Sequence, residues 1–427
     1  PAISERPSSA DSIDMAVEAF LTHPRLSQKV RHPQTGRIIS FSDVGDPKGY
    51  AVFCCVGMGL TRYVTAFYDE LATSLKLRLI TPDRPGVGES EAYPDGEGTP
   101  LSWPDDVLAI CQALKITKFS LLAHSAGAIY ALATALRLPQ HIRGRVHLLA
   151  PWIPPSQMSP IGIHADAVPA GQLPRSQRFL RVLPTPFLKV ANSGFMSATS
   201  ASITRSVPKS PQNSASKKRK TGGNSPAANG GGAKSIPMDV AAPAPYNARR
   251  ESILMMDRIA PSNSSLAVQD PHDPSHTGGG LGGGPWVDGP AALAAPTPSA
   301  AATPYHLSSP DRRARYDARL TSQTWDLATT HANPAVDLLV CLERHAPIGF
   351  RYVDITRAVV IHHGARDSRV PVDNVKWLGR TMRRCEVRIL EGEGHGLMAS
   401  AKVMANVLQE MSKEWEDWTA VVQGRGK

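Results

Sequence analysis

Ser125 stands in the run Leu121-Leu122-Ala123-His124-Ser125-Ala126-Gly127, where an apolar stretch gives way to small-X-Ser-X-Gly and then to helix-forming residues. A serine hydroxyl is a poor nucleophile until an imidazole takes its proton, and the imidazole needs a carboxylate to hold its tautomer. Two later segments supply such groups. Asp367 follows Gly364-Ala365-Arg366 just after an apolar run, and His395 sits in Glu393-Gly394-His395-Gly396. A sharp strand-to-helix turn would present Ser125 at a sheet edge, with small residues two places before and after it because backbone passes close by. Ala123 and Gly127 meet that need. The helix beginning there aims unpaired N–H groups at the serine, which makes Ala126 N–H a candidate oxyanion donor. Plainer readings stand beside these. Ser125 could be an ordinary buried turn serine, His395 a surface-loop histidine and Asp367 a turn residue, with Asp373 close enough to compete as the acid.

A second oxyanion donor would come from Val56-Gly57-Met58-Gly59-Leu60, after the apolar run 51–56. Glycines allow backbone to approach substrate closely, so Met58 N–H is the candidate donor, with Gly57, Gly59, His124 and Trp152 as substrate-binding candidates.

The elements that must position these residues alternate. Strands are expected at 38–42, 51–56, 77–81, 119–123, 145–150, 358–363 and 386–390. Helices are expected at 62–75, 102–114 with Ser102 as N-cap, 126–138 and 402–418. Continuous apolar runs read as strands buried on both faces, and strands alternating with helices read as a parallel, doubly wound α/β sheet.

In this order the segments resemble the α/β-hydrolase superfamily, in particular its large group of serine esterases, lipases, thioesterases and iminopeptidases. The matching stretches are Asp43-Val44-Gly45-Asp46-Pro47, the Gly57–Gly59 loop, Asp83-Arg84-Pro85-Gly86-Val87-Gly88-Glu89-Ser90, the Ser125 turn, Gly364 to Asp367, and Gly394-His395. The resemblance implies an α/β-hydrolase fold, mostly parallel and doubly wound, with a helical cap. It implies a catalytic triad of Ser125, Asp367 and His395, with Met58 and Ala126 as oxyanion donors. It also implies a fungal-type member in which a low-complexity insertion interrupts the cap. Two departures matter. Val56 stands where the family usually has histidine before the glycine, which removes a loop-stabilising side chain. The nucleophile position is serine rather than the aspartate with which relatives open epoxides or cleave carbon–halogen bonds.

The insertion is visible in composition. Residues 200–316 hold 15 of the 37 prolines, 12 of the 34 glycines, and 13 Lys/Arg against 7 Asp/Glu. More than half of the chain's net charge of +10 therefore lies there, and the segment is expected to be disordered. The expected organisation is an N-terminal arm (1–24), a first core part (25–154), cap (155–199), insertion (200–316), cap again (317–350), second core part (351–420) and tail (421–427). Helix-compatible stretches at 177–196 and 317–346 make Trp152, Phe179, Leu183, Phe187, Phe195, Trp325 and Leu338 candidates for the pocket, or, more plainly, for cap packing.

Other features bound the reading. Five cysteines without a CxxC pair suggest a reducing compartment, and the acidic N-terminus lacks the pattern of a secretory or mitochondrial leader. A cytoplasmic location follows. Lys217-Lys218-Arg219-Lys220 fits a nuclear import signal or a polyanion patch, and equally a solvated charge run. Arg178, Arg181 and Lys189 among apolar neighbours suggest a membrane-facing surface, but Pro184 and Pro186 interrupt it, so stable membrane insertion is not expected. The folded parts contain no nucleic-acid-binding module, metal-ligand cluster or dinucleotide fingerprint, so no nucleic-acid partner, metal or cofactor is expected. The expected activity is hydrolysis of a small-molecule ester, thioester or amide through an acyl-enzyme. The alternative is a non-catalytic scaffold that uses the insertion for partner contacts.

Overall fold

The computed structural model describes residues 9–94, 98–158 and 309–424. Within them, eight strands form one sheet: β1 (Gln28–Arg31), β2 (Ile38–Gly45), β3 (Tyr50–Cys55), β4 (Leu77–Pro82), β5 (Phe119–His124), β6 (Ile142–Leu149), β7 (Val359–Gly364) and β8 (Cys385–Leu390). Their order is β1-β2-β4-β3-β5-β6-β7-β8; the β1–β2 and β2–β4 pairs are antiparallel and the remaining five pairs are parallel, so β2 alone runs against the others. The expected α/β architecture is therefore present. β1 is an addition, a short polar edge strand whose residues alternate between half-buried and exposed and so carry no apolar run.

The helices cover both faces. They are α1 (Ser9–Leu21), α2 (Asp69–Ser74), α3 (Trp103–Leu114), α4 (Gly127–Arg137), α5 (Pro310–Thr329), α6 (Pro334–Cys341), α7 (Val372–Thr381) and α8 (Ala401–Val422). Strand residues alternate between two cores. Phe53, Cys55, Leu121 and Ala123 pack with Trp103, Ile110, Ile129 and Val375 from α3, α4 and α7. Val52, Cys54 and Leu122 pack with Leu71, Met404, Leu408 and Met411 from α2 and α8. Period-two alternation with both faces apolar is what a sheet sandwiched between helix layers requires.

Several expectations are corrected. Ser102 is itself helical and makes no side-chain cap of α3. The cap is Thr99, which opens a 3-10 turn over Pro100–Ser102, with Ser102 closing the capping box. The stretch 62–75 is a 3-10 segment, Arg62–Tyr68, followed by α2. Residues 310–316, assigned to the insertion by composition, form the first turns of α5. Ser309 caps that helix by accepting from Arg312 N–H, and Pro310 pre-sets its first turn. The N-terminal arm contains α1, whose Ile13 and Val17 pack on Leu320 of α5. The single helical stretch expected over 317–346 is two helices, because His331 and Asn333 take left-handed backbone between them. The other cap, insertion and basic-run expectations, including Phe179, Leu183, Phe187, Phe195 and Lys217 to Lys220, lie outside the described residues.

Candidate active site

Ser125 occupies the turn between β5 and α4 with φ +51°. That is left-handed backbone, which costs a non-glycine residue on the order of 1–3 kcal/mol and persists only where surroundings over-determine it. Here Ser125 N–H donates to Leu149 O (2.9 Å), and its own carbonyl accepts from Trp152 N–H (3.0 Å). Gly127 is obligatory: a Cβ there would lie 2.0 Å from Cys55 O. Close approach of β3 to the start of α4 is therefore built on a missing methyl group.

Asp367 and His395 follow β7 and β8, so all three side chains meet at the carboxyl ends of the parallel strands. His395 Nε2 is 2.8 Å from Ser125 Oγ, and His395 Nδ1 is 2.8 Å from Asp367 Oδ2. Asp367 Oδ1 accepts from Arg369 N–H (2.8 Å) and Val370 N–H (3.0 Å). Burial pushes the Asp367 carboxyl up, but His395 and those two N–H groups outweigh it and hold the group below its ordinary value. An ionised carboxylate only accepts, so His395 donates from Nδ1, and Nε2 is left to accept the Ser125 proton. Asp373, the competing acid, is exposed in the first turn of α7.

The expected oxyanion donors border this chain. Neither Met58 N–H nor Ala126 N–H donates to a described residue, and Ala126 is buried. Met58 is half-buried, and Gly57 before it lies against the Ser125 side chain. Gly59 has φ +78°, which lets the loop turn back after Met58. Met58 and Trp152 pack with Leu338 and Leu342 from the α6 region, giving the site an apolar wall. Trp152 Nε1–H donates to Cys341 O (2.9 Å), so its ring is fixed to α6.

The side chain of His124 is buried against Gly57, and its Nε2–H donates to His395 O (2.9 Å), which ties it to the His395 loop. Burial, then the neighbouring His395, depresses its pKa to about 3, so the ring is neutral. The sequence also left Arg84 without a role. It lies buried beneath the Met58 loop, donating to Val56 O, Gly57 O and Leu60 O while pairing with Asp337 of α6. The loop support that a histidine at position 56 would give comes from this guanidinium instead.

Among the described residues, one group could hold a metal ion: His147, His362 and Glu410, whose ligating atoms lie within 4.8 Å of one another. Glu410 already accepts from Arg145 and Arg388, two guanidiniums that would repel a cation there. Among the described residues no helix is long and apolar enough to cross a membrane.

A family model described as the alpha/beta hydrolase fold matches residues 50–265, just over half of the chain. The chain belongs to the α/β-hydrolase family. Within this α/β-hydrolase, one stretch of 106 residues is 33% identical to an epoxide hydrolase of Caballeronia sordidicola, covering 25% of this chain and 32% of that protein. Another of 81 residues is 36% identical to a protein of Agrobacterium fabrum assigned the name carbamate hydrolase RutD, covering 19% and 31%. The chain thus matches about a third of the length of either relative. An esterase from Thermogutta terrifontis is similar in structure at 15% identity and TM-score 0.47, over 91% of this chain and 98% of that one.

Proposed function

We propose that this α/β-hydrolase is a serine hydrolase acting on a carboxylic ester, thioester or amide through an acyl-enzyme. The observation that carries the reading is the hydrogen-bonded chain Ser125 Oγ, His395, Asp367 beside two unpaired N–H groups. Ser125 Oγ attacks the carbonyl carbon and its proton passes to His395 Nε2. Asp367 stabilises the resulting imidazolium, and the Met58 and Ala126 N–H groups hold the oxyanion. His395 then gives the proton to the leaving group as the carbonyl–heteroatom bond breaks. Water, deprotonated by His395, releases the acid and restores Ser125. The carbamate-hydrolase relative makes carbamates a further acyl class for the same chemistry. Epoxide opening through an ester intermediate needs a carboxylate at the position of Ser125, which disfavours that activity despite the epoxide-hydrolase relative.

The apolar wall of Met58, Trp152, Leu338 and Leu342 favours an uncharged acyl group. The test is turnover of activated esters of increasing acyl length alongside aminoacyl amides. Wild type should hydrolyse short and medium acyl esters, and Ser125→Ala should lose at least a thousandfold in kcat. Equal rates in the two would contradict the assignment.

A further inference from the structure

Three backbone carbonyls of the Met58 loop converge on one side chain. Arg84, only 2% exposed, donates from Nη1 to Val56 O (2.6 Å) and from Nη2 to Gly57 O (3.1 Å) and Leu60 O (3.2 Å). Its Nε and Nη2 also grip Asp337 Oδ1 (2.6 Å) and Oδ2 (2.7 Å) in a two-pronged pair, and Asp337 is fully buried. Asp337 belongs to α6, across 253 positions of sequence, and the next residue of that helix, Leu338, packs on Met58.

A trans peptide unit is planar, and its C=O and N–H point in opposite directions. Holding Gly57 O against Arg84 therefore turns Met58 N–H to the opposite side of the same peptide plane. A guanidinium is rigid and planar, so its direction is set by the carboxylate that grips it from behind. We infer that Asp337 is a positioning residue: by orienting Arg84 it makes seating of cap helix α6 set the aim of the Met58 N–H. Seating of α6 then governs the rate of the chemical step. This inference rests on the serine-hydrolase reading above. A plainer role for the pair, a staple joining cap to core, would affect stability and leave the N–H direction alone.

Removing one member of a buried ion pair destabilises, whereas replacing both by apolar groups of similar volume is often neutral. That asymmetry separates the two roles. Asp337→Asn, which keeps the shape but loses the charge, should lower kcat on a small acetyl ester at least tenfold with KM changed less than threefold. Asp337→Glu should recover part of that loss. The paired change Arg84→Met with Asp337→Leu should return the thermal midpoint to within a few degrees of wild type yet leave kcat at least tenfold down. A trifluoromethyl ketone, whose adduct places an oxyanion at the same donors, should bind both variants at least tenfold more weakly.

Recovery of both midpoint and kcat in the paired variant would overturn the inference in favour of a staple, as would unchanged kcat in Asp337→Asn. Both results require wild type that turns over. Wild type that neither hydrolyses the ester nor binds the ketone would overturn the serine-hydrolase reading and this inference with it.

Discussion

The imidazole of His124 donates to the backbone carbonyl of His395 across 2.9 Å, tying the residue before Ser125 to the loop that carries its hydrogen-bond partner. His124 Nδ1 has no hydrogen-bond partner among the described residues and packs on Gly57, so one neutral ring touches the serine turn, the Met58 loop and the histidine loop. Removing the ring leaves a void and frees the His395 loop. His124→Ala is expected to lower kcat about tenfold or more, equivalent to about 1.4 kcal/mol in the barrier. Steady-state kinetics on an activated ester check this, and a variant within twofold of wild type would contradict it.

Gly127 is where the serine turn has no slack, since a Cβ would meet Cys55 O at 2.0 Å. Gly127→Ala must displace either α4 or the end of β3. The expected result is at least a hundredfold loss in kcat/KM with a thermal midpoint lower by several degrees, read by kinetics and calorimetry. Near-wild-type values for both would show that the approach of β3 to α4 is looser than described.

Acid should weaken the fold before the carboxylates titrate. His124 and His362 are each held at about 3, by burial first and then by a neighbouring imidazole, His395 or His147. Unfolded, each returns to about 6.5. Their folded values are depressed, so the unfolded chain takes up protons first. The stability is fully present above 6.5 and is lost as pH falls from 6.5 toward 3. Each histidine removes up to about 1.4 kcal/mol per pH unit across that window. Urea unfolding at pH 7.5, 6.0 and 5.0 measures the slope, and His362→Gln should remove its share. A flat curve between pH 7 and 5 would contradict the burial of these rings.

No thiol is poised to act as the nucleophile. Burial pushes Cys55, Cys111 and Cys385 up to about 12, and Cys54 and Cys341 higher still. At pH 8 all five stay protonated and unreactive. Iodoacetamide should leave ester turnover within twofold of the untreated protein. Rapid inactivation that follows loss of one thiol would contradict this.

What was legible in the sequence was local. The turn around Ser125 announces itself because small residues and an abrupt strand-to-helix change fall within seven positions, and Asp367 and His395 each follow a strand in a glycine-marked loop. Buried strands such as 51–56 show as apolar runs. β1 and α7 do not, because Gln28–Arg31 lies at a polar edge and Val372–Thr381 buries only Asn374, Val375 and Leu378. The Arg84–Asp337 pair was illegible for a different reason. Its partners lie 253 positions apart, and only folding of α6 onto the Met58 loop brings them together. The missing histidine at Val56 looked like a weakness for the same reason, since its replacement approaches from another strand's loop.

In the proposed chemistry Ser125 is the nucleophile, activated by His395. The most direct measurement is labelling of the intact protein with a fluorophosphonate probe, followed by peptide mapping. One probe should add per chain, on the peptide carrying Ser125, and labelling should vanish in Ser125→Ala and slow at least a hundredfold in His395→Ala. Equal labelling of wild type and Ser125→Ala, or a probe attached elsewhere, would contradict it.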